Sequence, residues 1–160
     1  MKKRNLFLSY IVVILFFTGC VSLKDVSVYK NEEISEYKYA LINSTESLTS
    51  NVGTTINGVY VSEGKTVNPR DIISGYLMKR GFIIITEISD DIKDKTLIVN
   101  YGESGRRNVL FGYTTEVTLQ FISAGTKNLI CSSTAEGIWD TEADDIKKAI
   151  TRALEAVFEE

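Results

Sequence analysis

The sequence predicts an α+β fold, a two-layer sandwich in which one mixed β-sheet carries two helices on one face, in the order β-α-β-β-β-β-α. Three observations predict it. A helix start at Asn68-Pro69 lies between two apolar runs of strand length. Residues 112–122 alternate, with Tyr113, Thr115, Val117, Leu119 and Phe121 on one side and Thr114, Glu116, Thr118 and Gln120 on the other, the period of a half-buried strand. The chain then closes on a segment whose Ile146, Ala149, Ile150, Ala153, Leu154 and Val157 recur at helical spacing. One sheet with helices packed on it is the simplest way to bury these faces together.

Taken in order, Tyr37-Lys38-Tyr39-Ala40-Leu41-Ile42 is the first strand of the domain. Residues 43–65 are rich in Ser, Thr, Asn and Gly and read as a long loop, with Gly58-Val59-Tyr60-Val61 as an extended edge segment inside it. Asn68 then suits an N-cap, Pro69 the first helical position and Asp71 the positive first turn. Ile73, Tyr76 and Leu77 share one face of this helix, and Gly81 ends it. The continuous apolar run Phe82 to Ile85 reads as a strand covered on both sides or at a sheet centre, completing a parallel crossover unit. Thr96 to Tyr101 is the next strand, and Gly102-Glu103-Ser104-Gly105-Arg106-Arg107-Asn108 is its turn or its continuation. After the alternating strand, residues 123–128 with Gly125 form a hairpin turn. The returning strand lines one face with Leu129, Cys131, Ser133, Ala135 and Gly137, small enough to let a helix pack close. Thr141 caps that helix, with acids in its first turn.

Ahead of this domain, Lys2, Lys3 and Arg4 precede an apolar run from Leu6 to Phe17, then Thr18, Gly19 and Cys20. Charge, apolar run, small residues and cysteine in that order are a secretory signal, and the order resembles the lipobox of bacterial lipoproteins. The rival readings are a membrane-spanning anchor and an ordinary cleaved signal. The apolar run is about 12 residues, short of the roughly 20 that a spanning helix needs. Phe17 stands where the lipobox pattern usually has Leu. The expected organisation is therefore a signal over residues 1–19, a lipidated tether over 20–35 with a short strand near Val26 to Tyr29, and a single domain over 36–160. Lipid on Cys20 implies a membrane partner, and the absence of Asp just after it resembles outer-membrane sorting, with the periplasmic face as the expected side and surface exposure as the open alternative.

Composition narrows the chemistry. Of 160 residues, 24% are charged and the net charge is -3, which offers no basic face for nucleic acid. There is no histidine, so Ser-His-Asp and Cys-His catalysis are excluded and the commonest metal ligand is missing. With Cys20 taken by lipid, Cys131 is single and expected to be buried as a small hydrophobe. No cofactor and no metal site are expected. The one cluster with a chemical flavour is the turn at residues 102–107, whose arginines could pair with phosphate or carboxylate, or with Glu103. Tyr101, Glu103, Arg106, Arg107 and Tyr113 form the candidate interaction patch, joined by Phe111. Packing of aromatic strand residues against each other is the competing reading.

From Lys95-Thr96-Leu97-Ile98-Val99-Asn100-Tyr101 through Thr118-Leu119-Gln120-Phe121-Ile122, Cys131-Ser132-Ser133-Thr134-Ala135-Glu136-Gly137 and Ala156-Val157-Phe158, the chain resembles a family of small bacterial envelope lipoproteins of unknown function. That resemblance implies an envelope location and carries over no catalytic residue. The expected function is a non-enzymatic binding or adaptor module with an envelope protein as partner. The alternative is a hydrolase or ligand-binding enzyme acting on envelope glycans or peptides through carboxylates and Arg106 or Arg107, and a third is self-assembly through a sheet edge.

Overall fold

The computed structural model describes residues 22–56, 59–109 and 112–158. Cys20, Gly58 and Phe111, and the segment before Cys20, lie outside them, and the Tyr60 side chain is likewise not described.

A mixed sheet of six strands carries the α+β fold. Its strands are β1 (Ser27–Lys30), β2 (Tyr39–Ile42), β5 (Ile83–Ile85), β6 (Thr96–Val109), β7 (Gly112–Ser123) and β8 (Leu129–Gly137). They lie side by side in the order β1-β8-β7-β6-β2-β5. β3 (Leu48–Ile56) and β4 (Val59–Val67) form a separate antiparallel pair. The helices are α1 (Pro69–Lys79) and α2 (Glu142–Phe158). β2 runs parallel to both β5 and β6, as the β2-α1-β5 crossover requires, and the other pairings of the large sheet are antiparallel.

Local chemistry accounts for the helix ends. The Asn68 side chain accepts the Arg70 N–H at 3.0 Å, and Pro69 follows it at the start of α1. Gly81 leaves the helix with φ of +90°, a conformation that costs glycine little. At α2, Thr141 Oγ1 accepts the Asp144 N–H at 3.1 Å and donates to Asp144 Oδ2 at 2.9 Å, so cap and first turn hold each other.

The core lies between the helices and one face of the sheet. Ala40, Leu97, Val99, Val117, Leu119 and Phe121 supply the sheet side. Ile73 and Leu77 of α1 and the whole expected stripe of α2 supply the other, all buried. Tyr76, Phe82 and Phe121 each place a ring about Phe158 at centroid distances of 5.9, 5.9 and 6.2 Å, joining the helices where they meet. Cys131 is buried, as its small apolar character suggested.

Three expectations are corrected. Residues 43–65 are not chiefly a loop: Leu48 to Val67 is a hairpin of two nine-residue strands. Its Thr and Val residues are β-branched and fit a strand, although Ser, Asn and Gly between them dilute the apolar signal. The hairpin base is tied to α2 by Lys65 to Asp144 at 2.8 Å and by the Ala143 N–H to Ser50 Oγ at 3.1 Å. The run at Phe82 is not central: β5 is the outermost strand, and Ile83 is 45% exposed. Finally, the folded body begins before residue 36, because β1 pairs antiparallel with β8 from Ser27↔Thr134 to Lys30↔Cys131.

The close seat of α2 depends on Gly137. A Cβ there would stand 2.8 Å from the Asp145 carbonyl carbon and 2.9 Å from the Ala149 nitrogen, both backbone atoms. Gly137→Ala is therefore expected to destabilise the fold by about 2–3 kcal/mol in urea unfolding. Gly75→Ala, where a Cβ meets nothing within 4 Å, is expected to stabilise α1 by roughly 0.5–1 kcal/mol.

Candidate functional site

The residues singled out between Tyr101 and Tyr113 do not form one patch, and a single extra residue is the reason. Gly102-to-Asn108 is the continuation of β6, not a turn. Pairing with β7 runs in register to Glu103↔Val117 and resumes at Gly105↔Glu116, so Ser104 is a β-bulge. In the resumed register Arg106 stands opposite Thr115 and Arg107 opposite Thr114. Thr115 belongs to the helix-covered face with Val117 and Leu119, and Thr114 to the opposite face with Glu116 and Thr118. The bulge thus decides which arginine serves which side of the sheet. Without it the two would exchange faces.

On the helix side, Arg106 pairs with Glu142 in the first turn of α2 and stacks over the Tyr113 ring, 5.0 Å from its centroid. Tyr101 and Glu103 sit further along: the Tyr101 hydroxyl donates to Glu103 Oε1 at 3.2 Å. Burial, with the Glu103 charge beside it, pushes the Tyr101 phenol well above its usual range. The arginines take other acids, Arg106 pairing with Glu142 and Arg107 with Glu136. Tyr101 and Glu103 share a cleft of about 290 Å³ with Thr45, Ser47, Pro69 and Ile146.

On the other face, Arg107 makes the most heavily bonded contact of the site. Its Nε donates to Glu136 Oε1 at 2.9 Å and its Nη2 to Glu136 Oε2 at 2.7 Å, a two-point fork. The Glu136 side chain is 2% exposed. It stands directly across from Glu116 in the β7–β8 register, and like charges so placed repel. Lys24 relieves them: its ammonium lies 3.3 Å from Glu136 and 3.8 Å from Glu116, and its backbone N–H donates to Glu136 Oε2 at 3.1 Å. Hydrogen bonds from Arg107 lead in lowering the Glu136 pKa from 4.5 to about 2, against the opposing push of burial.

This carboxylate gathers the amino-terminal segment onto the body. Arg107 Nη2 also donates to the Ser22 carbonyl at 3.2 Å. From α2, Arg152 donates to the Lys24 carbonyl at 2.9 Å and to the Glu136 carbonyl at 2.6 Å, over the end of β8. Residues 22–24 therefore lie against the sheet, where the sequence suggested a tether. Beside them, the Asp145 carboxylate accepts the Trp139 backbone N–H, and burial raises its pKa. Lys148 lies 4.9 Å from the Trp139 ring centroid.

Glu136 and Lys24 were not among the residues the sequence singled out. The only hint is positional: Glu116 and Glu136 lie on facing strands joined by one short turn, and such a pair calls for cations. Among the described residues no group of three or more Cys, Asp or Glu is placed to hold a metal ion. No described helix is long and apolar enough to cross a membrane.

No protein-family model matches the chain, and no curated protein matches it. Among solved structures it is similar to the PelC dodecamer from Paraburkholderia phytofirmans in two crystal forms. A single-substitution variant gives a TM-score of 0.48 at 14% identity, covering 82% of this chain and 95% of that one. The second form gives 0.44 at the same identity and coverage. A neuraminyllactose-binding hemagglutinin homologue from Helicobacter pylori gives 0.31 at 14% identity, over 81% of this chain and 78% of that one. Likeness at this distance assigns no activity.

Removing the Glu136 charge tests the clamp. Glu136→Gln is expected to cost about 2 kcal/mol at pH 7, the worth of charge-assisted hydrogen bonds. Because the folded-state pKa is depressed, this stabilisation is complete above the unfolded value of 4.5 and disappears as pH falls toward about 2. Unfolding curves for wild type and variant should therefore converge on acidification through that window and stay separated above it.

Proposed function

We propose that this chain is a lipid-anchored, non-enzymatic binding or adaptor module of the bacterial cell envelope, held at the outer membrane through a thioether on Cys20. The observation that carries the reading is a conjunction. A signal-like run ends in Gly19-Cys20, and from Ser22 onward the chain is fastened to the sheet by Arg107, Glu136 and Arg152. An anchor so close to a rigid body fixes where that body stands.

The face of the sheet away from the helices supports a binding role. It presents hydrogen-bonding side chains in rows: Asn43 donates to Asn100 at 2.6 Å, and Thr118 and Thr134 share a 2.8 Å contact. Gln120 and Tyr29 are exposed beside them. Such a surface suits a polar envelope partner. The hydrolase alternative lacks its constellation, since Arg106 and Arg107 are paired on opposite faces and neither lines the cleft beside Tyr101 and Glu103.

Metabolic labelling with an alkyne fatty acid, followed by mass spectrometry of the mature amino terminus, tests the anchor. Wild type should carry label and begin at Cys20, and Cys20→Ser should lose the label and leave the membrane fraction. Equal labelling and equal sedimentation of the two would contradict the proposal.

A further inference from the structure

Trp139 is the only tryptophan in the chain, and it is 63% exposed, the largest exposure of any large apolar side chain described. Lys148 meets one part of its ring, 4.9 Å from the centroid. Trp139 lies in the connection between β8 and α2, three residues after Glu136. Glu136 is the residue that holds Lys24 and, through Arg107, Ser22. The exposed indole and the point where the chain arrives from Cys20 therefore share one end of the molecule.

Other groups at that end have matching chemistry. Tyr113 is 38% exposed and lies under Arg106, whose partner Glu142 follows Trp139 by three positions. On the flank of α2, a shallow cleft of about 420 Å³ runs from Trp139 past Lys147, Lys148 and Arg152, with Asp144 and Glu155 also in its lining. Tryptophan and tyrosine favour the headgroup level of a bilayer, where an apolar ring and a polar edge are both satisfied, and lysines reach lipid phosphates from there.

We infer that this end of the body, led by Trp139 with Tyr113, Lys147 and Lys148, rests on the lipid surface. The inference rests on the lipid anchor proposed above. Two residues of extended chain span at most about 7 Å, so a lipidated Cys20 holds Ser22 within that reach of the bilayer. The full chain carries a net charge of -3, and loss of Lys2, Lys3 and Arg4 with the signal leaves -6, which supplies no long-range attraction to anionic lipid. The anchor brings the surface into contact and the aromatic residues orient it, leaving the Lys30 end of β1 turned away from the bilayer.

The single tryptophan makes the test direct. The full lipidated protein is reconstituted in phosphatidylethanolamine–phosphatidylglycerol vesicles containing brominated phosphatidylcholine, and flotation and tryptophan emission are measured together. Trp139 emission should shift to the blue and fall about twofold, as for an indole at headgroup level. A Tyr29→Trp probe in a Trp139→Phe background reports the far part of β1 and should keep the emission of a water-exposed indole. Protein that floats while Trp139 emission stays water-like would overturn the inference, and so would equal quenching of both probes. Failure of the anchor itself is read separately: protein that does not float and carries a bare Cys20 would overturn the proposed function and this seating with it.

Discussion

One buried carboxylate organises the amino-terminal side of this molecule. A charge removed from water is tolerated only with partners on every side. Glu136 obtains them from two separate stretches of chain: Arg107 near the end of β6, and the ammonium and backbone N–H of Lys24. Arg152 of α2 closes the arrangement by holding the carbonyls of Glu136 and Lys24. The group thus turns sequence-distant elements into one unit, and it depends on the extra residue at Ser104 that aims Arg107 at the correct face.

The same end of the sheet is where the helix layer is most tightly seated. Gly137 allows the backbone of α2 to approach β8, and Asp145, one turn into the helix, turns back to accept the Trp139 N–H. Burial of Asp145 raises its pKa while hydrogen bonding lowers that of Glu136, so two acids on either side of the β8–α2 connection are treated oppositely by their surroundings. Between them they leave the indole of Trp139 exposed and the chain from Ser22 fastened to the sheet surface. Core packing, the carboxylate clamp and the exposed aromatic end follow from the same few contacts.

Much of the fold was legible because the signals were local. The cap at Asn68-Pro69, the stop at Gly81, the alternation along β7 and the stripe of α2 each depend on neighbours within a turn or a strand. The small-residue face of β8 was legible for the same reason, down to the close helix contact at Gly137. The hairpin of β3 and β4 was not, since its hydroxyl-rich strands lack the apolar contrast on which periodicity depends. The position of β5 was not, because an apolar run does not reveal whether it is central or at an edge. The candidate patch failed at Ser104: a bulge changes the facing of every residue after it, and nothing in Gly-Glu-Ser-Gly-Arg-Arg announces one. Glu136 was hidden because its partners lie 112 and 29 positions away.

The functional reading depends on the chain just after Cys20 being part of the folded body rather than a slack tether. Hydrogen exchange at the Lys24 amide, the donor to Glu136 Oε2, measures this directly. In the wild-type protein that amide should exchange far more slowly than an unstructured one, and Arg107→Ala should release it while core amides such as Leu119 stay protected. Exchange of Lys24 at the unstructured rate in wild type, or protection indifferent to Arg107, would contradict the clamp.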